Sequence, residues 1–377
     1  MTIFLYGPLR FTPLMHRVLG VEDTPTAQPA VAPGWRGAPC VGGVHPVVAP
    51  VQDDPEGEGL RGIAFDTLPG PSLARLSFCA EVFGLRWHEL DIEVAGTARA
   101  ARMLVPDEPD TRPGHWALDD WIAKAGDAAL RLAGDVMGRF GHANPASVRM
   151  MLDMALSRAD SHARARRDST PPVLRKGGTD ADVEIVERRR PYTHFFQVEE
   201  TDLQFRRFDG SLSETVTRAA FVMSDAVTVL PYDPVRDRVL LVEQFRFGPL
   251  SRGDRYPWSL EPVAGRIDAG GDPEETARRE AQEEAGLTLG ALEQVARYYP
   301  SPGAVTEYLW SFVGIADLPD SAAVMGGLDE EAEDIRGVIL SFDDLMAFVS
   351  GGEAENGPLI LTAHWLAANR DRLRRDA

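Results

Sequence analysis

The chain has 377 residues, which is long enough for two domains that each have their own hydrophobic core. Its 58 acidic residues outnumber its 39 basic residues, so the formal charge is −19 at pH 7. Such a surface repels phosphate backbones and anionic lipid headgroups, which excludes a general nucleic-acid binder and a membrane-surface binder as expected functions. An anionic substrate must therefore be bound by a local group of arginines or by metal ions.

Cysteine content and hydropathy indicate the expected compartment. Cys40 and Cys79 are the only cysteines, and no Cys/His spacing suits a metal, which argues against a disulfide framework or a zinc site and favours a reducing compartment. No apolar run reaches about 18 residues, and the apolar start Met1–Leu5 is too short for the core of a signal peptide. We therefore expect a cytoplasmic protein without a membrane-spanning segment.

The first part of the chain has the pattern of a β-rich module followed by helices. Strand-like runs at Ile3–Tyr6, Gly62–Phe65 and Asp91–Val94 are separated by Gly- and Pro-rich connections. From 117 to about 163 the composition changes to Ala, Leu, Met and charged residues, which predicts helices. The basic stretch Ser157–Gly178 has no sustained periodicity, so we interpret it as the tail of a helix followed by a solvated linker.

The second part of the chain has the pattern of a sheet-rich domain with a few helices. Runs of strand length lie at Val183–Val186, Phe195–Val198, Leu203–Phe208, Ala226–Leu230 and Val239–Glu243, with turns at Asp209–Gly210 and Asp233–Pro234. The predicted organisation is a first domain at 1–165, a linker at 166–181 and a second domain at 182–377.

One helix is predicted from its own end signals. Asp272 is a good N-cap, Pro273 suits the first helical position, and Glu275 completes a capping box. Gly286 is a natural stop, which gives a helix of about 13 residues. Within it, Arg279 lies four residues after Glu275, so we expect these two side chains to pair.

Three carboxylates are predicted on one face of this helix. Glu280, Glu283 and Glu284 lie three or four residues apart or adjacent, so their charges repel one another unless cations lie between them. Mg²⁺ typically binds a few carboxylates together with phosphate oxygens of a substrate. Gly265, before the helix, allows the backbone to come close, which makes the carbonyl of Ala264 a candidate further ligand.

The string that contains this helix resembles the signature of the Nudix hydrolases. That signature is Gly, five residues, Glu, seven residues, then Arg-Glu-apolar-x-Glu-Glu-x-Gly-apolar, and the matching positions are Gly265, Arg279, Glu280, Ala281, Glu283, Glu284, Gly286 and Leu287. Gly271 stands where the family usually has its first Glu. That Glu is thought to brace the loop and helix more than to hold metal, so we expect altered rigidity rather than lost catalysis, with Asp268 or Asp272 as a substitute.

Residues from about 182 to 374 resemble the ADP-ribose pyrophosphatase branch of that family. The similar segments are HFFQ at 194–197, LPYDPVRD at 230–237, VEQFR at 242–246, EPVAG at 261–265, YPSPGAVTE at 299–307 and EEAEDIR at 330–336. The resemblance implies an α/β/α sandwich and a homodimer in which a small sheet helps build the partner's adenosine site. It also implies hydrolysis of ADP-ribose to AMP and ribose 5-phosphate with Mg²⁺, Mn²⁺ being the alternative cation.

The same resemblance implies roles for individual residues. The metal ligands would be Ala264, through its carbonyl, Glu280, Glu284 and Glu333. The catalytic residues would be Glu331, which accepts the proton of the attacking water, together with Glu283 and Arg279. Phe195 would stack on the adenine of the substrate, and Arg218 and Arg246 would face its diphosphate and adenosine. Glu307 would contact its terminal ribose. Of Phe195 and Phe196, at least one is expected to be strand core instead.

The start of the chain resembles the γ-glutamylcyclotransferase-like fold. The resemblance rests on MTIFLYGPLR and the residues that follow it to Gly20, and implies a β-barrel-type module with a helical tail after it. Pro8 replaces a Thr of that family and removes one N–H donor. Ala80 occupies the position of the family's acid/base Glu, and Glu81 is displaced by one residue. We therefore expect a binding or structural role for this module, without cyclotransferase activity.

The expected fold class is α+β with two domains, a cyclotransferase-like barrel module and a Nudix sandwich. Two alternatives to ADP-ribose hydrolysis stay open. The first is hydrolysis of another nucleoside diphosphate sugar such as GDP-mannose, because the signature addresses the diphosphate and not the base. The second is a sensor that binds ADP-ribose-like ligands without cleaving them, for which Gly271 is the supporting feature.

Overall fold

The computed structural model describes residues 1–39, 48–51, 57–106, 116–322, 325–326 and 334–376. The chain divides into two compact units, Met1–Gly177 and Gly178–Ala377. This division falls inside the segment 166–181 that the sequence assigns to a linker. No helix in the described ranges is long and apolar enough to cross a bilayer.

The first unit contains a closed barrel and a group of helices. Its strands are β1 Thr2–Tyr6, β2 Gln28–Ala32, β3 Arg36–Pro39, β4 Val48–Val51, β5 Leu60–Phe65, β6 Leu85–Val94 and β7 Thr97–Pro106. Its helices are α1 Thr12–Leu19, α2 Gly70–Val82, α3 Leu118–Met137, α4 Pro145–Arg149 and α5 Leu152–Arg167. In the described part, the barrel order is β1-β5-β2-β6-β7, closed by parallel pairing of β1 with β7, and β3 and β4 form a separate hairpin. The three predicted strands and the helical stretch are confirmed.

Successive side chains of β1 point to opposite sides of the barrel wall, and both sides are covered. Phe4 packs with Ile92 and Met103 in one core cluster, while its neighbours Ile3 and Leu5 pack in a second cluster with helical residues. Both faces of this strand are therefore buried. On α2, Ala80 is buried and Glu81 is exposed, as the one-residue displacement predicts.

The basic stretch begins inside a helix. Arg158 and Arg164 on α5 are only 4% and 5% exposed, and Arg164 pairs with Asp160 at 2.9 Å. The prediction of a solvated segment was wrong for these two arginines. For Arg164, the carboxylate of Asp160 one turn earlier on the helix allows the charged side chain to be buried. Residues 168–177 are exposed and form neither helix nor strand.

The second unit contains most of the strands. These are β8 Val183–Thr193, β9 Gln197–Phe205, β10 Val216–Val222, β11 Ala226–Asp233, β12 Arg238–Phe245, β13 Trp258–Glu261, β14 Val263–Arg266, β15 Leu292–Tyr298, β16 Leu309–Ile315, β17 Met325–Gly326 and β18 Ile335–Ser341. The helices are α6 Phe247–Arg252, α7 Pro273–Ala285, α8 Phe342–Ser350 and α9 Gly357–Arg375. The two predicted turns are confirmed, but the separate strands predicted at 195–198 and 203–208 were wrong, since a single strand, β9, contains the end of the first run and the start of the second.

Two sheets form the framework of this unit within the described residues. A three-stranded sheet has the order β10-β9-β8, and an eight-stranded sheet has the order β15-β16-β11-β12-β18-β17, with β13 on β12 and β14 on β11. Every residue of β11 is buried. Val227 and Val229 pack in the cluster that contains residues of α7, whereas Leu230 and Tyr232 pack in the cluster that contains residues of α8 and α9. Helices therefore cover both faces of the sheet, which makes three layers.

The predicted helix is α7, and its bounds are those that its end signals indicate. The Asp272 side chain accepts hydrogen bonds from the backbone N–H groups of Glu274 and Glu275, at 2.8 and 3.1 Å. Gly286 ends the helix in the left-handed conformation, with φ of 64°. The three alanines at positions 277, 281 and 285 pack into the core, which turns the glutamates of the last turns toward β14 or the surface.

Candidate active site

A cavity of about 830 Å³ lies in the second unit, where α7 and β14 meet the chain between β12 and β13. Among the predicted site residues, those that line it are Phe195, Arg246, Ala264, Arg279, Glu280, Glu283 and Glu307. Glu284 is buried beside Ala264 and does not line the cavity itself. Glu331 and Glu333 lie outside the described residues.

Glu280 lies directly against the backbone of Gly265. A Cβ atom built on Gly265 would lie 1.9 Å from Oε1 of Glu280 and 2.0 Å from its Cδ. Any side chain at position 265 therefore collides with this carboxylate. The close approach predicted for Gly265 is confirmed, and it brings Glu280 next to the strand that carries Ala264.

Glu284 reaches the same strand from inside the fold. It is 3% exposed, and its Oε2 accepts a hydrogen bond from the backbone N–H of Ala264 at 3.2 Å. A buried carboxylate requires such partners, because an unpaired charge in the interior costs several kcal/mol. The predicted ligands Ala264, Glu280 and Glu284 are thus neighbours.

Arg279 pairs with carboxylates on three sides. Its Nη1 lies 2.7 Å from Oε2 of Glu283, and its Nη2 lies 2.8 Å from Oε1 of Glu280 and 3.5 Å from Oδ2 of Asp268. Burial lowers the pKa of Arg279, but these three negative charges raise it, and the net shift is upward. The predicted pair with Glu275 was wrong, because the side chain points toward the larger negative charge on the other side.

Asp268, one of the two residues suggested as a substitute for the missing signature glutamate, lies near Arg279. Of the two substitutes that the sequence suggested, Asp268 contacts Arg279, whereas Asp272 is occupied as the N-cap of α7. The Asp268 side chain is 78% exposed, so its attraction for Arg279 is screened by water. The contact between Asp268 and Arg279 is therefore weak and open to solvent.

The donor chemistry fits a hard divalent cation, although the described residues hold no preformed cluster. Among the parts of the chain that the structure describes, no three His, Cys, Asp or Glu side chains are grouped closely enough to hold a metal ion. Glu280 and Glu283 instead pair with Arg279, and Glu284 bonds to Ala264. All of these donors are oxygens, which Mg²⁺ and Mn²⁺ prefer.

A second group of charges lies on the other side of the cavity. Nε and Nη2 of Arg246 lie 2.7 and 2.5 Å from Oε1 of Glu261, which is 4% exposed. Burial raises the pKa of Glu307, and the positive charge of Arg246 opposes this shift. Arg246 has further N–H groups that can donate to an anion in the cavity, and Glu307 can accept from hydroxyl groups there.

The two adjacent phenylalanines have different surroundings. Phe195 is 52% exposed, lines the cavity, and has the guanidinium carbon of Arg266 5.1 Å from its ring centroid. The Phe196 ring packs between Tyr192 and Phe221, at centroid distances of 5.4 and 5.2 Å. One ring is therefore available to a ligand, and the other packs within the small sheet.

Arg218 is the predicted binding residue that this cavity does not include. It lies on β10, is exposed, and its Nη1 donates to the carbonyl of Thr217 at 2.9 Å. Sequence reasoning also missed Glu261, Arg266 and Asn356, which line the cavity. An acidic residue at the end of a strand was the available signal for Glu261, while nothing local distinguished the other two.

Comparison with known proteins identifies the family. The NUDIX domain family matches residues 223–360. An ADP-ribose pyrophosphatase of Escherichia coli is 36% identical over 195 residues, which is 52% of this chain and 92% of that protein. The chain belongs to the Nudix family. Its Nudix domain match contains α7, β14 and Glu307, but neither Phe195 nor Arg218.

Two further relatives of this Nudix protein carry different substrate names. An ADP-ribose pyrophosphatase of Haemophilus influenzae is 33% identical over 194 residues, covering 51% of this chain and 89% of that protein. A GDP-mannose pyrophosphatase of Pectobacterium atrosepticum is 31% identical over 179 residues, covering 48% and 91%. The Nudix framework is therefore shared by proteins named for two different nucleoside diphosphate sugars.

Proposed function

We propose that this Nudix protein hydrolyses the diphosphate bond of ADP-ribose, with Mg²⁺ or Mn²⁺, to AMP and ribose 5-phosphate. The observation that carries the proposal is the single cavity in which the α7 carboxylate Glu280, with Glu284 behind it, faces Arg246 and Glu307. A substrate with a diphosphate between two sugars presents both anionic oxygens and hydroxyl groups to such a site. The relatives named ADP-ribose pyrophosphatase support this substrate.

Metal binding is assigned to the α7 side of the cavity. Glu280, Glu284 and the carbonyl of Ala264 would hold the cation, with Glu333 as a further ligand. When bound, the cation neutralises the diphosphate and lowers the pKa of a water molecule. Arg279 keeps the Glu280 carboxylate in place through its ion pair.

The other groups bind the substrate or move the proton. Arg246 donates fixed hydrogen bonds to phosphate oxygens, where negative charge is present throughout the reaction. Glu307 accepts from the terminal ribose, and the exposed ring of Phe195 stacks on the base. Glu331 remains our candidate for the base that takes the proton of the attacking water.

The experiment is hydrolysis of a panel of nucleoside diphosphate sugars by the purified protein with Mg²⁺. We expect AMP from ADP-ribose, loss of this activity with EDTA, and its recovery with added Mg²⁺ or Mn²⁺, read by chromatography of the nucleotides. Release of GMP from GDP-mannose alone would establish the second candidate, which the Pectobacterium relative favours. Binding of ADP-ribose without any cleavage would support the sensor alternative.

We also propose a homodimer whose small sheet, β8 to β10, brings Arg218 to the partner's cavity. The support is that Arg218 lies outside its own cavity, and that this sheet exposes apolar side chains, including Val186 at 61% and Phe221 at 46%. Light scattering should give twice the mass of the chain. A monomer that is fully active on ADP-ribose would contradict this assembly.

The first unit and the compartment remain expectations. We propose that residues 1–165 form a γ-glutamylcyclotransferase-like module with a binding or structural role, joined through 166–181 to the Nudix domain at 182–377. The closed barrel supports this assignment. The small-molecule substrate and the reducing compartment that the cysteines suggest are consistent with a cytoplasmic protein.

A further inference from the structure

We infer that Glu261 and Asn356 are positioning residues that hold the guanidinium of Arg246 in the orientation that binds the substrate's phosphate groups. The inference rests on the proposed function, because it assigns the anion that Arg246 contacts. It adds a specific claim about two residues that no signature position includes. The claim concerns how Arg246 is held and leaves the chemistry of the bond cleavage unchanged.

The planar guanidinium group of Arg246 is hydrogen-bonded along one edge, and its other edge is open to the cavity. Both Nε and Nη2 donate to Oε1 of Glu261, at 2.7 and 2.5 Å, which uses one side of the planar fork. The Glu261 side chain is 5% exposed, whereas that of Arg246 is 42% exposed. The guanidinium thus has a buried anchor and keeps donors free for a ligand in the cavity.

Asn356 fixes the orientation of Glu261. Its Nδ2 donates to Oε2 of Glu261 at 3.0 Å, while its Oδ1 accepts from the backbone N–H of Leu359 at 2.9 Å. Because Oδ1 caps α9, rotating the amide by half a turn would lose both hydrogen bonds. Oε1 of Glu261 therefore accepts from Arg246 and Oε2 from Asn356, the Ser259 side chain also bonds to this carboxylate, and the carboxylate plane is set.

The anchor matters because Arg246 has a second carboxylate nearby. Glu307 lines the same cavity, and the positive charge of Arg246 lowers the otherwise raised pKa of its carboxyl group. Without Glu261, the guanidinium would turn to Glu307, which would occupy both the phosphate donors and the proposed ribose acceptor. Burial raises the pKa of Glu261, and Arg246, Ser259 and Asn356 oppose that shift.

Variants at position 356 separate positioning from helix capping. In Asn356→Ser, the serine still caps α9 but is too short to reach Glu261. We expect KM for ADP-ribose to rise about tenfold and kcat to change less than about threefold, because a fixed bond to a charged group is lost. Asn356→Asp keeps the cap and places a carboxylate against Glu261, so we expect a larger rise in KM.

A matched control exists in the first unit. Asn144 also caps a helix, α4, by accepting from the N–H of Ala146 at 2.9 Å. Asn144→Ser should leave KM and kcat unchanged. Thermal unfolding of all three single variants shows whether any change in KM follows from lost stability; a rise in KM that tracks the melting temperature alone would contradict positioning.

The decisive measurement places Asn356→Ser in an Arg246→Ala background. If Asn356 acts through Arg246, the second substitution should leave KM at the value of Arg246→Ala. A further tenfold rise would show that Asn356 acts by another route and would overturn the inference. An unchanged KM in both position-356 single variants would overturn it as well. Wild-type protein without ADP-ribose hydrolysis would instead contradict the proposed function, and calorimetric binding of ADP-ribose by the same variants then tests positioning.

Discussion

Glu284→Gln is expected to lower kcat for ADP-ribose about a thousandfold, because the variant loses one of the negative charges that we propose hold a divalent cation. The residue is 3% exposed, and the amide oxygen of glutamine can still accept from the N–H of Ala264. The substitution therefore removes the charge and keeps the size and the hydrogen bond. We expect the urea midpoint of unfolding to stay close to that of the wild type.

The control for this variant is Glu274→Gln on the same helix. Glu274 is exposed on the first turn of α7, and its side chain is not part of the cavity. Turnover should be unchanged in this control, while Glu284→Gln should also lose Mn²⁺ binding measured by paramagnetic resonance. Full turnover by Glu284→Gln would remove this residue from the proposed metal site. Unfolding of the variant at lower urea would assign its effect to the core.

Local signals allowed α7 to be predicted accurately. An N-cap, a proline and a terminal glycine act within a few residues of the helix, so the bounds of α7 follow from Asp272, Pro273 and Gly286. The glutamate positions then follow from helical spacing. The close approach at Gly265 was predicted for a different reason, namely that a glycine carries no side chain to keep the helix away.

Long-range partners could not be predicted in this way. Asn356 and Glu261 are 95 positions apart, and their hydrogen bond depends on where α9 begins against the sheet. Arg279 was predicted to pair with Glu275 but contacts Asp268 instead, and that contact depends on the fold of the loop that carries Asp268. Likewise, closure of the barrel by β1 and β7 joins segments about a hundred residues apart that carry no mutual pattern.

The small sheet shows a further limit of sequence reasoning. Strand-length runs were predicted within β8 and β9, but β10 was missed, and the pattern did not show that the end of the run at 195–198 and the start of the run at 203–208 belong to one strand, β9. Nor did it show that Phe195 precedes the strand and stays exposed while Phe196 packs. Whether a polar or apolar side chain at a strand end is buried depends on neighbours from other strands, which periodicity within one segment does not contain.

Gly265→Ala is expected to lower kcat/KM about a hundredfold with little change in stability. The new methyl group would lie within 2.6 Å of three atoms of the Glu280 side chain. The backbone at position 265 is paired with Val227 in the sheet, so the flexible end of Glu280 moves instead of the strand. That movement displaces a proposed metal ligand and separates it from Arg279, which lies 2.8 Å away.

Gly303→Ala is the matched control, because a Cβ atom at that position meets nothing within 4 Å. It should keep wild-type kcat/KM, and both glycine variants should unfold at urea concentrations near that of the wild type. A second change distinguishes displacement of Glu280 from other effects of the methyl group. In the Gly265→Ala background, Glu280→Asp removes one methylene from the crowded side chain and should recover part of the lost activity, whereas the same change in the wild-type background should reduce it. Wild-type kcat/KM in folded Gly265→Ala would mean that Glu280 works from a different position, and the assignment of this carboxylate to the metal would then be withdrawn.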